Sequence, residues 1–181
     1  MKNREFISYG FFLFIVLLSS CATIKKYEGI DQKKISDVKE IEGEYENGAA
    51  QNKNVSFRSI KSYIDFLDKV KDTAAVKSVK IAVLNDKKIQ FIFKTENGTE
   101  NKYETGYKLG KNGFIFLKNK NFRFTGLPYI FGGFTINKTE IGLTKQNHLI
   151  LNGVKVDEGA ILLILPASFP KINFTEQYNK K

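Results

Sequence analysis

Side chains suited to covalent or acid–base chemistry are scarce in this chain: one thiol, Cys21, and one imidazole, His148, in 181 residues. A single cysteine excludes an internal disulfide and every multi-cysteine zinc or iron–sulfur pattern. A catalytic histidine needs a nucleophile or an acid held within hydrogen-bond reach. His148 instead ends Lys145-Gln146-Asn147-His148, which predicts a surface turn ahead of a strand at 149–151. Glu42, Glu44 and Glu46 alternate on one predicted strand face, and Asp157-Glu158 is predicted in a turn. Glycoside hydrolysis needs two carboxyls about 5–10 Å apart across a cleft, and the spacing places no two of these in that way. No Gly-x-Ser-x-Gly elbow is present, and Gly132-Gly133 is not followed by the Lys-Ser/Thr of a phosphate loop. The expectation is a non-enzyme with no catalytic residue, metal ligand or cofactor. A hydrolase with an unfamiliar site is the residual alternative, which a pocket holding His148 beside a carboxylate would revive.

The most unusual stretch outside the N-terminus is Gly126-Leu127-Pro128-Tyr129-Ile130-Phe131-Gly132-Gly133-Phe134, which is apolar and carries no charge. Glycine within a strand marks a bulge, a bend or a close backbone approach. One reading is a buried strand with a corner bend. The other is a ligand or partner surface presenting Tyr129, Phe131 and Phe134.

Cys21 has a distinctive setting. Lys2 and Arg4 precede an unbroken apolar run, Phe11 to Leu18, which leads into Ser19, Ser20 and Cys21. Eight apolar residues cannot cross a hydrocarbon core, which takes about 20 in a helix, but they suit the apolar region of an export signal. Leu18-Ser19-Ser20-Cys21 resembles the lipobox of bacterial lipoproteins. The resemblance implies a diacylglyceryl group on the Cys21 thiol, cleavage between Ser20 and Cys21, and an acyl anchor in a membrane of the cell envelope. Ala22, in place of the Asp that retains some lipoproteins in the inner membrane, resembles the outer-membrane sorting pattern, with the periplasmic face favoured. Asp72-Thr73-Ala74 resembles a short O-glycosylation acceptor of some bacterial envelopes.

These groups need a scaffold. Residues 1–20 are expected as a cleaved signal, 21–40 as a Lys-rich flexible tether, 41–175 as one β domain and 176–181 as a polar tail. Ile60, Tyr63, Ile64, Leu67 and Val70 form one apolar stripe on a 3.6-residue period and predict an amphipathic helix near 59–71. From residue 77 the period falls to two: Val79, Ile81 and Val83, then Ile89, Phe91 and Phe93, then Tyr103, Thr105, Tyr107 and Leu109. Asn-Gly at 97–98, 112–113 and 152–153 supplies turn signals. The class expected is mainly β, a single antiparallel barrel or sandwich of eight to ten strands, including 41–46 and 54–57.

Gly43-Glu44-Tyr45 resembles the Gly-x-Trp that opens lipocalin-like barrels, with Tyr45 in the place of the barrel-closing aromatic. The resemblance implies a cup lined by Phe and Tyr that takes a small apolar ligand. The chain has no Trp, and its helix comes early instead of after the barrel. The net charge of +10 comes mostly from dispersed Lys without a nucleic-acid-binding motif, so no nucleic-acid partner is expected. The functional expectation is a non-enzymatic, membrane-anchored lipoprotein whose β module binds a small apolar ligand or an envelope partner. The alternative is an outer-membrane assembly component docking through 127–134.

Overall fold

The computed structural model describes residues 24, 29–48, 59–64, 75–118, 121–127, 131–161, 165–168 and 171–181, of which 121–127, 131–134, 157–161 and 165–168 are described by their backbone. The fold is mainly β, an antiparallel sheet curled into a half-barrel. Eleven strands occur among the described residues, one more than the upper expectation: β1 Gln32–Lys33, β2 Gly43–Glu46, β3 Val76–Asn85, β4 Lys88–Thr95, β5 Glu100–Leu109, β6 Ile115–Leu117, β7 Asn121–Leu127, β8 Phe131–Thr144, β9 Leu149–Ile161, β10 Leu165–Ser168 and β11 Ile172–Tyr178. The expected strand at 54–57 lies outside the described residues.

Two-residue alternation puts one side of each strand inward. Cross-strand partners share a face, so the register Tyr45–Val79–Phe93 and the neighbouring register Ile81–Phe91–Tyr103 stack apolar rows on the concave side. Ile115, Ile141 and Leu151 continue the series across β6, β8 and β9. These side chains form one buried cluster. Burying a large apolar side chain contributes about 1.5–3 kcal/mol. Two expected Asn-Gly turns are present: Gly98 (φ 86°) joins β4 to β5 and Gly113 (φ 80°) joins β5 to β6. Asn152-Gly153 instead lies inside β9, where a Cβ on Gly153 would be 2.5 Å from the Lys138 carbonyl oxygen and would also strike the Phe174 ring. Close approach, not a turn, requires that glycine. Asp157-Glu158 likewise belongs to β9, paired with Thr135 and Phe134, and not to a turn.

β6 and β7 share one edge of β8. β6 pairs Ile115 and Phe116 with Ile141 and Glu140, and β7 pairs its seven residues with 131–137. β11 and β10 share the far edge of β9 in the same way, over 149–155 and 158–161. The outer halves of β8 and β9 therefore project past the curl as a four-stranded extension in the order β7-β8-β9-β10. Pro166 lies on edge strand β10, where a missing N–H is tolerated.

The helix expected near 59–71 is described from Ile60 to Ile64, labelled α1. The Ser59 hydroxyl accepts from the Ser62 N–H at 3.1 Å. Ile60, Tyr63 and Ile64 are buried inside the curl, and the Tyr63 ring stacks on Phe174 with centroids 4.0 Å apart. Asn47 fixes the entry, accepting from the Lys61 N–H through its side chain and donating to the Val76 carbonyl.

Both ends of the expected domain move outward. Residues 29–40, expected as tether, are packed. β1 pairs with β8, Ile35 is 2% exposed, and a 3-10 helix over Val38–Ile41 buries Val38 and Ile41. Asp37 and Glu40 form a reciprocal capping box at its start. The polar tail expected at 176–181 is also structural. Tyr178 is fully buried at the end of β11, and three residues beyond it run against β2. The Glu46 N–H donates to the Asn179 carbonyl at 2.9 Å, and the Lys181 N–H donates to the Glu44 carbonyl at 2.8 Å. The two margins of the curl meet at this short seam.

Candidate functional site

The polar residues singled out in the sequence have structural partners. Glu44 on β2 accepts from the Lys94 ammonium at 2.7 Å and the Ser78 hydroxyl at 2.6 Å. Lys94 first, then Ser78, hold its carboxyl below the ordinary value. Glu42 accepts from the Val83 N–H, and Glu46 from the Asn179 side-chain amide. The three carboxylates stitch β2 to its neighbours instead of facing one another across a cleft. His148 closes the β8–β9 turn, its N–H donating to the Thr144 hydroxyl at 3.0 Å. Among the described residues no three His, Cys, Asp or Glu side chains are grouped to hold a metal ion. Among them, too, no helix is long and apolar enough to cross a membrane. Cys21, Ser20, Tyr129 and Asp72-Thr73-Ala74 lie outside the described residues. Phe131 and Phe134 are placed by their backbone on β8.

Tyr45 is fully buried beside the seam. Its hydroxyl donates to the Ile41 carbonyl at 2.9 Å, and the Lys180 ammonium lies 5.8 Å from its ring centroid. Burial pushes the hydroxyl up to about 12. Tyr45 is thus a buried aromatic on β2, packed among the described core residues. Tyr45, Phe91, Phe93 and Tyr178 share one cluster with Ile60, Tyr63 and Ile64 of α1.

An open cleft of about 640 Å³ lies on the outside, where the 3-10 helix meets β3 and β5. Asp37, Lys39, Asp86, Lys87, Tyr107 and Lys118 line it. The Tyr107 hydroxyl donates to the Asn85 carbonyl, and burial, the largest cause, raises its ionisation above the ordinary value. The cleft presents mixed charge to solvent, and the Ser36 hydroxyl on its lining donates to the Glu40 carboxylate at 3.0 Å. Sequence reading missed it because Asp37 and Lys39 fell in the supposed tether. The Asp37-x-x-Glu40 capping pattern was the signal that could have found its rim.

Of the chargeless segment 126–134, residues 126–127 lie on β7 and 131–134 on β8 of the extension. Register defines its rows. Leu127, Phe131, Ile161 and Leu165 form the end row across β7, β8, β9 and β10. Gly126, Gly132, Ala160 and Pro166 form the next, followed by Thr125, Gly133, Gly159 and Ala167. The first charges on the extension come behind these three rows, at Glu158, Asp157 and Arg123. Composition alone does not show that β9 and β10 bring further chargeless residues, 159–161 and 165–168, into the same rows. No family model, no curated protein and no solved structure matches this chain.

Proposed function

We propose that the chain is a non-enzymatic, membrane-anchored lipoprotein of a bacterial envelope, acylated on Cys21, whose β module serves as an interaction unit. The Leu18-Ser19-Ser20-Cys21 junction supports the anchor. The observation that carries the interaction reading is the four-stranded extension with its chargeless end row, Leu127-Phe131-Ile161-Leu165. The packing of α1 inside the curl favours contact through that extension over carriage of a small apolar ligand in the interior.

The anchor is tested by expressing the full chain in a lipoprotein-processing bacterium fed labelled palmitate. The wild type is expected to carry the label, to lose residues 1–20 and to fractionate with membranes. Cys21→Ala is expected to carry no label. An unlabelled wild type with Met1 intact would overturn the assignment.

A further inference from the structure

We infer that the end of the β7–β10 extension dips into the same lipid leaflet that holds the acyl chains of Cys21, so that the module is fixed to the membrane at two points. The inference rests on the lipoprotein reading and names the occupant of the extension.

Three observations converge on a lipid surface. The first is where the N-terminal chain lies. Ile24 packs on Val154 and Val156, on the convex face of β9 near the base of the extension. Ile24 is three chain steps from Cys21, a reach of about 10 Å when extended. The end row containing Ile161 lies five residues beyond Val156 along β9, about 16 Å away. Cys21 is therefore held within about 10 Å of the base of the extension, close enough for the acyl anchor and the end row to meet one bilayer surface.

The second observation is the length of the chargeless region. On β9 it is three residues, Gly159 to Ile161, on β7 four, Phe124 to Leu127, and on β8 seven, Phe131 to Asn137. A membrane-spanning strand takes about 9–11 residues, so the extension is too short to cross and of the right length to dip. The third is the distribution of charge. Arg123, Asp157 and Glu158 enter behind the chargeless rows, at the level where headgroups and water would meet the strands.

The test uses the full lipidated chain in vesicles of phosphatidylcholine with a minor fraction of phosphatidylglycerol. Lipidation consumes the native thiol, so a cysteine introduced as Ile161→Cys can carry an environment-sensitive fluorophore. Lys145→Cys, in the turn at the opposite end of β8, serves as the reference. Doxyl-labelled lipids are then added, with palmitate label and vesicle co-sedimentation measured on the same samples. The expected result is a blue-shifted Ile161→Cys probe that loses the larger part of its emission to doxyl lipid, while the Lys145→Cys probe keeps its emission. Thermal unfolding matching that of the wild type confirms that both variants are folded. If Ile161→Cys fails that check, the same reading is taken from Leu127→Cys on the same row.

An unquenched end-row probe on a protein that is palmitate-labelled and vesicle-bound would overturn the inference and leave the anchor standing. A probe shielded from water but not quenched by lipid, with the shielding lost on dilution, would mean that a second copy covers the extension and would also overturn it. A wild type without palmitate would remove the anchor and the inference together.

Discussion

β8 and β9 each belong to two different environments, and the contrast between their halves explains how the molecule is built. In the curled half, Ile141, Leu143, Leu149 and Leu151 face the packed interior, and β6 and β11 flank the pair on either side. In the extended half the same strands carry Gly132, Gly133, Gly159 and Ala160 in successive rows, flanked by the short β7 and β10. Rows of glycine and alanine supply backbone pairing without side-chain volume, so they hold strands together but do not make a core. The curled half gathers its apolar side chains into one buried cluster, and the extended half is joined by backbone pairing across four strands.

The widest separation between the halves should come from matched truncations. Phe91→Ala empties a fully buried site in the curl and is expected to cost about 3–5 kcal/mol in urea unfolding. Phe131→Ser at the end row is expected to stay within about 1 kcal/mol of the wild type. Equal losses would mean that the extension is part of the core and would abolish the contrast. Gly153→Ala probes the boundary between the halves. The added methyl must displace the Phe174 ring and the Lys138 carbonyl, an overpacking expected to cost about 1–3 kcal/mol. A melting temperature unchanged from the wild type would show that β9 and β11 can separate there without penalty.

A finer division comes from pH. Tyr45 has its ionisation raised from 10.0 to about 12 by burial. Its contribution is fully present below pH 10 and is lost as pH rises through about 12, because the unfolded chain releases that proton first. Tyr45→Phe removes the hydrogen bond to Ile41, costing about 1 kcal/mol at neutral pH, and should flatten part of the alkaline decline. Tyr178, also raised by burial, leaves a remainder. The smallest effect is expected at Glu40, lowered from 4.5 to about 2, first by Lys33 and then by the Asp37 and Ser36 backbone N–H groups. Its contribution is present above pH 4.5 and is lost as pH falls towards 2. Glu40→Gln should reduce the slope of stability over that window alone, as read by urea midpoints at a series of pH values.

Local signals were legible in the sequence where the structure is local. The alternation at 79–83 and 89–93, the turns at Gly98 and Gly113, and the start of the helix at Ser59 all follow from neighbours within a few residues. What stayed hidden depends on distant chain. Ile35 and Val38 carry no period, so their burial becomes visible only once β8, which pairs with β1, and β3, which packs against the 3-10 helix, are in place. Asn152-Gly153 has the composition of a turn and is kept straight by Phe174, 21 residues later. The chargeless segment 126–134 was conspicuous from composition alone. Its role was not, because the rows that define it are shared with 159–168 on another hairpin.

The seam between 44–46 and 179–181 also sets an order of events. It joins segments more than 130 residues apart, so loop-closure entropy makes it one of the last contacts to form. Until it forms, β2 and the end of β11 are bare strand margins that other copies can pair with. A chain stalled at that step would be prone to aggregation even with every other strand in register. Shortening it by its final three residues should therefore show first as poor recovery on refolding and only second as a lower melting point.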